Sequence, residues 1–256
     1  MNELLLSLIA GTFIGGAGGY LGSLMLSKRM ALVAGPLGHL TLPGIALAFL
    51  YHFDPSLGAF PFVILGIFFI WMLELKTKLP MEAITAIVFV TGVATAFLFL
   101  PINQVEAALV GDITKVSLIA VIVSVLISVV LFIVAKVIYS DMLLINISED
   151  LSRANGIKVT KLNLIYLLLI AIIVALGVRM VGGLLTAALV AIPPSTARNL
   201  SQNLHQYRLG SLGIGALSSF IGILLFNATG LPAGPLIILV SALFFIVSIF
   251  FKNSAS

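Results

Sequence analysis

The sequence predicts an all-α polytopic membrane protein of about eight or nine transmembrane helices, with one short helix outside the hydrocarbon. Three observations predict it. Of the 256 residues, 61% are hydrophobic and only 9% are charged, whereas soluble domains carry roughly 25% charged residues. Mean hydropathy is +1.26. The apolar residues form continuous runs long enough to span a bilayer, not the short alternating segments of a membrane barrel. These runs extend from end to end, so residues 1–256 are expected to form one transmembrane domain.

The net charge of +4 does not indicate nucleic acid. In membrane proteins the surplus of Lys and Arg collects in cytoplasmic loops. There is no cysteine, which excludes disulfides and thiolate metal sites. The start, Met1-Asn2-Glu3, lacks the basic opening of a signal peptide. The first apolar run is therefore expected to be a retained span.

A span needs about 20 apolar residues. The first covers 4–26 and carries Gly11, Gly15, Gly18, Gly19 and Gly22 at helical spacing, a face built for close packing. The second, 31–52, is interrupted by Gly35, Pro36, Gly38, Pro43 and Gly44, and a loop with His52 and Asp54 follows. The third is 56–75 and the fourth runs from Glu82 to Leu100. A polar connection over 101–115 precedes a fifth span over 116–138. The longest hydrophilic stretch is 140–161. Within it, Ser148 followed by Glu149 and Asp150 reads as a helix N-cap and Gly156 as its C-cap. The sixth span is 162–178 and the seventh 179–200. The seventh combines Gly182, Gly183, Thr186, Ala187, Ala188 and Ala191 with Pro193, Pro194, Ser195, Thr196 and Arg198. Small residues and prolines together mark a helix packed among others, because carbonyls freed by proline must face protein or water. A polar loop over 199–210 leads to an eighth span over 211–227 and a ninth over 233–251.

In this nine-span scheme Lys28, Arg29, Lys76, Lys78, Lys136, Arg153, Lys158, Lys161, Arg198, Arg208 and Lys252 share one side. Only Lys115 and Arg179 fall on the other. The asymmetry places the N-terminus outside and the C-terminus and the 140–161 helix in the cytoplasm.

Three stretches now resemble one family, the ABC-3 permeases, membrane subunits of manganese, zinc and iron ABC importers. Arg29 to Leu47, with Gly-Pro-Leu-Gly-His-Leu-Thr-Leu-Pro-Gly at its centre, resembles the early signature. Glu149 to Val159 resembles the cytoplasmic loop, an acid-rich short helix closed by Ala-x-Gly-Ile. Val181 to Leu200 resembles the signature Val-Gly-x-Leu-Leu-x-x-Ala-Leu-x-x-x-Pro-x-x-Thr-Ala-x-x-Leu, the most specific of the three. Gly230 to Pro235 and Met81 to Phe89 are weaker matches in the right order. The resemblance implies a prokaryotic inner-membrane permease working as a homodimer, with cytoplasmic ATP-binding subunits and an extracytoplasmic metal-binding protein. It implies a divalent metal ion as transported substrate, no permanently bound cofactor and no enzymatic activity. The sequence holds no Gly-x-x-x-x-Gly-Lys-Ser/Thr, so ATP chemistry is expected from a partner.

His39 is the sharpest candidate for the metal path, since imidazole suits zinc and manganese and ionisable groups at membrane depth face a cavity or partner. Its other reading is a hydrogen bond to a carbonyl freed by the breaks at Pro36 and Pro43. The family pattern Gly-Asp-x-x-Ser-His has an acid four residues before the histidine, on the same helix face. This chain has Gly35 there, and Gly230 where family members often carry an acid before Leu-Pro. Two expected carboxylates are missing together, which leaves open a loose transit site, a changed substrate such as a siderophore-like chelate, or a different partner subunit.

Glu149, Asp150, Arg153 and Gly156 read either as an ATPase-coupling helix or as a solvated face. Pro193 and Pro194 are expected to end or kink the seventh helix, with Ser195 and Thr196 satisfying the freed carbonyls, and the kink is a candidate gate. Glu82 reads as a helix-start acid, and Arg179 as a residue reaching for the interface. A proton-coupled carrier is disfavoured, because no acid lies clearly at membrane depth. No protease motif of the His-Glu-x-x-His type occurs.

Overall fold

The computed structural model describes residues 3–28, 38–51, 53, 55–77, 79, 81–99 and 117–251. These fold into helices α1 (Glu3–Ser27), α2 (Leu42–Leu50), α3 (Pro55–Lys76), α4 (Met81–Phe99), α5 (Leu118–Ile147), α6 (Glu149–Ala154), α7 (Val159–Leu200), α8 (Leu204–Thr229) and α9 (Ala233–Phe250). Among the described residues there is no strand. Among the described residues, six helices are long and apolar enough to cross a membrane.

α1 is the central post. Its glycine face lets neighbouring backbones approach within side-chain distance. A methyl group at Gly15 would overlap the Gly215 carbonyl and Ser219 Oγ, and one at Gly19 would overlap the Ser211 carbonyl. Moving up α1 means moving down α8, so the two are antiparallel. On another side α1 meets α7, where Gly18 faces both Ile173 and Leu189.

That contact decides the shape of α7. Ile173 and Leu189 would lie about 24 Å apart along one straight helix. They touch the same glycine because α7 is a hairpin. Gly182 has φ 79° and ψ 167°, a combination that only glycine holds without strain. The arms 159–181 and 183–200 lie against each other: a β-carbon at Gly177 would stand 2.9 Å from Thr186 Cγ2 and 3.5 Å from Leu189 Cδ2. The sixth and seventh spans read from the sequence are these two arms.

The prolines do not end the second arm, which continues helically through Pro193 and Pro194 to Leu200. Among the interior residues of α7, Gly182 carries the non-helical dihedrals. Two further boundaries differ from expectation. α5 continues through 140–147, a stretch with Ser140, Asp141 and Asn146 among apolar residues, before stopping at Ser148. The stretch 199–210 is not a loop: α8 begins at Leu204, with Asn203 Oδ1 accepting from the Gln206 amide at 2.9 Å. His205 and Arg208 therefore lie on the first turns of α8.

α6 matches its sequence signals closely. The Ser148 hydroxyl accepts from the Leu151 amide at 3.2 Å. Beyond Asn155, Gly156 takes φ 79°, and the amides of Gly156 and Ile157 return to the carbonyls of Arg153 and Ser152, a Schellman ending.

The chain ends of these helices sort onto two faces. Asn146 Nδ2 donates to the Ser27 carbonyl at 2.7 Å, and Asn199 Nδ2 to Ser248 Oγ at 2.9 Å. The C-terminal ends of α1, α5, α7 and α9 thus share one face with α6. The Gly182 turn and the α8–α9 connection lie on the opposite face.

Candidate functional site

His39 sits in the short helical turn before α2. Its neighbour Leu40 fits against Gly66 and Gly92, each near the middle of its helix, α3 and α4. The His39 ring lies 5.4 Å from that of Phe89, also mid-helix, and is half-buried. The imidazole is therefore at mid-depth in the bundle. From there α2, only nine residues long, covers the remaining half of the crossing, and Gly44 packs backbone to backbone against Gly58 of α3.

Among the described residues no group of three His, Cys, Asp or Glu converges to hold a metal. Gly35 lies outside the described residues, as does His52. Gly230 has a structural explanation. It is the C-cap of α8 with φ 71°, and its amide bonds the Phe226 carbonyl at 2.8 Å. A β-carbon there would meet nothing within 4 Å.

In the second arm of α7, Pro193 and Pro194 lack the amide hydrogens that would reach the carbonyls of Leu189 and Val190. Ser195 and Thr196 do not fill these places. Their hydroxyls donate to the next two carbonyls, Ala191 at 2.7 Å and Ile192 at 2.9 Å. The Val190 carbonyl instead faces Gly22 of α1, so closely that a methyl group there would overlap it.

At the α6 face a buried polar cluster ties α1, α5, α7 and α8 together. Ser23 Oγ donates to the Tyr20 carbonyl at 2.7 Å and lies 2.9 Å from Tyr139 Oη. With its one hydrogen spent, Ser23 is the acceptor and Tyr139 the donor. Tyr207 Oη donates to the Ser23 carbonyl at 3.1 Å. The Arg208 guanidinium lies over the Tyr139 ring at 4.8 Å. Lys28 Nζ sits 5.0 Å over the Tyr166 ring and donates to Asn163 Oδ1 at 3.2 Å. Burial pushes the Lys28 ammonium below the usual lysine value, while Glu74 and Glu149 act in the opposite direction. Four of the chain's five tyrosines meet here. Sequence reasoning missed this cluster, because its members are spread over 20–208 and no local motif joins them.

On α6, Glu149 and Arg153 pair loosely at 3.7 Å, both well exposed. An exposed i,i+4 pair of this kind adds about 0.3–0.5 kcal/mol at most. The helix presents charge to solvent and holds itself up by its caps.

A model of the ABC 3 transport family matches residues 1–252. The chain belongs to that family. It is accordingly a multi-pass membrane transport permease and not an enzyme. Among its relatives, it is similar to the manganese import system permease protein ScaB of Streptococcus gordonii, 25% identical over 95% of this chain and 89% of that protein. It is also similar to the high-affinity zinc uptake system membrane protein ZnuB of Buchnera aphidicola, 26% identical over 94% of each. The fold matches that of PsaBC from Streptococcus pneumoniae, solved in complex with Fab, with a TM-score of 0.84 at 22% identity, covering 99% of this chain and 93% of the other. Family membership and fold thus agree with the resemblance drawn from Arg29–Leu47, Glu149–Val159 and Val181–Leu200.

Proposed function

We propose that this chain is the membrane permease subunit of an ABC importer that moves a divalent transition metal, zinc or manganese with iron as a further cargo, into the cell by alternating access. The observation that carries the reading is family membership over residues 1–252. The names of relatives, a manganese permease and a zinc uptake protein among them, supply the cargo class. Two copies of the chain form the path, a cytoplasmic ATPase pair drives it, and an extracytoplasmic binding protein delivers the ion. The α6 face is cytoplasmic, which puts the N-terminus outside, because the basic residues gather there.

His39 lies on the metal path, and its mid-depth position supports this. The exposed, doubly capped α6, with Glu149, Asp150, Arg153 and Gly156, docks on the ATPase. Pro193, Pro194, Ser195 and Thr196 form the gate-lining part of the second arm. A chelated or organic cargo is the second reading, favoured because no group of three His, Cys, Asp or Glu converges at His39 among the described residues.

The test is reconstitution of the chain with its ATPase and binding protein in vesicles, followed by uptake of free and chelated zinc and manganese. The expected result is ATP-dependent accumulation of the free ion. Uptake that persists without the ATPase, or that requires the chelate, overturns the reading.

A further inference from the structure

The α6 face contains a cavity of about 650 Å³ lined by Leu26, Ser27, Lys28, Asn146, Arg198 and Tyr207. Among the described residues, two cations and no acid line it. Lys28 is held in place by Asn163 and the Tyr166 ring. Arg198 has no acidic partner within ion-pair distance among the described residues.

Helix dipoles do not account for both charges. Three C-termini, of α1, α5 and α7, end around the cavity, and two N-termini, of α8 and of the first arm of α7 that carries Asn163, begin there. At about half a charge each, the sum is about −0.5, well short of the two cations. Lys28 also shares the fields of Glu74 and Glu149, which leaves Arg198 as the uncompensated charge. Close to the lining, Leu144, Ile147, Leu200 and Leu204 expose apolar side chains. A basic pocket between transmembrane helices, with apolar residues beside it, has the chemistry of a lipid headgroup site.

We infer that this cavity binds a phosphate group, with Arg198 as the principal ligand and Lys28 and Tyr207 beside it. The phosphate is that of an anionic phospholipid headgroup or a free phosphate. Arg198 supplies the forked donor geometry that phosphate oxygens accept. The inference does not depend on the identity of the transported cargo.

The test uses the full chain purified in detergent. Native mass spectrometry follows titration with phosphatidylglycerol and, separately, phosphatidylcholine. Thermal melting follows addition of inorganic phosphate against chloride at matched ionic strength. Phosphatidylglycerol binds the wild type more tightly than phosphatidylcholine, and Arg198→Gln weakens it about tenfold, as expected for one charge-assisted contact. Arg198→Lys keeps the charge but loses the fork, so it binds more weakly than the wild type and more tightly than Arg198→Gln. If inorganic phosphate alone raises the melting point, and Arg198→Gln removes that rise, the site takes the free anion. Equal binding of the two lipids with no phosphate-specific rise overturns the inference in the wild type alone, whether or not Arg198→Gln folds. Unchanged binding in a folded Arg198→Gln overturns it as well.

Discussion

The Val190 carbonyl, which Pro194 leaves without an amide donor, points at the α-carbon of Gly22. The contact joins a proline of the second arm of α7 to a glycine of α1. The glycine leaves room for the unpaired oxygen, and a Cα–H···O contact of this kind contributes about 0.5–1 kcal/mol.

Gly22→Ala places a methyl group on that oxygen, and overpacking of this sort costs about 1–3 kcal/mol. The matched control is Gly213→Ala, also in a helix, where a β-carbon meets nothing within 4 Å. It should stabilise by about 0.5–1 kcal/mol through helix propensity. Melting of both detergent-solubilised variants checks this pair. An unaltered Gly22→Ala would show that the carbonyl has room to withdraw.

The hydroxyls of the tyrosine cluster differ in what they do. Tyr139→Phe removes the donor to Ser23 and should cost about 1–2 kcal/mol. Tyr166 Oη is buried with no hydrogen-bond partner among the described residues, so Tyr166→Phe should be neutral or stabilising. Reversal of that order in thermal melting would contradict the hydrogen-bond assignment.

His39→Phe tests the metal path separately from packing. Phenylalanine keeps a ring against Phe89, 5.4 Å away in the wild type, and removes both nitrogens. Assembly should hold while metal uptake in reconstituted vesicles falls by at least about tenfold, the scale of one lost ligand. Full uptake by His39→Phe would return His39 to a packing role.

Ser148→Ala removes the N-cap of α6 and should cost that helix about 1 kcal/mol. Because α6 has little packing of its own, the bundle should keep its melting point while transport per ATP hydrolysed drops. A normal ratio of uptake to hydrolysis would separate α6 from coupling.

The spans were legible because hydropathy records the hydrocarbon directly. The third was expected at 56–75 and is Pro55–Lys76, and the ninth, expected at 233–251, is Ala233–Phe250. Hydropathy does not record where a helix continues into water, which is why the first turns of α8 read as a polar loop; at α5, Ser140 and Asp141 read as the start of a hydrophilic stretch although Met142 to Ile145 continue the apolar pattern. Asn203 followed three residues later by Gln206 was the available signal, since Gln206 Oε1 also accepts from the Gln202 amide at 3.0 Å. Gly182 was read only as a packing residue, because a turn between two apolar arms carries no polar punctuation. The missing carboxylate before His39 was legible in the glycine at 35, whereas the capping role of Gly230 needed its φ angle.

The hairpin at Gly182 bears on how the protein is made. Between Leu162 and Ala197 the only charged residue is Arg179. The two arms therefore meet the bilayer during synthesis as one greasy unit with almost no hydrophilic cargo to carry across. A single guanidinium is the whole toll at the far side. Lengthening the turn with charged residues would burden membrane insertion before it disturbed the finished bundle.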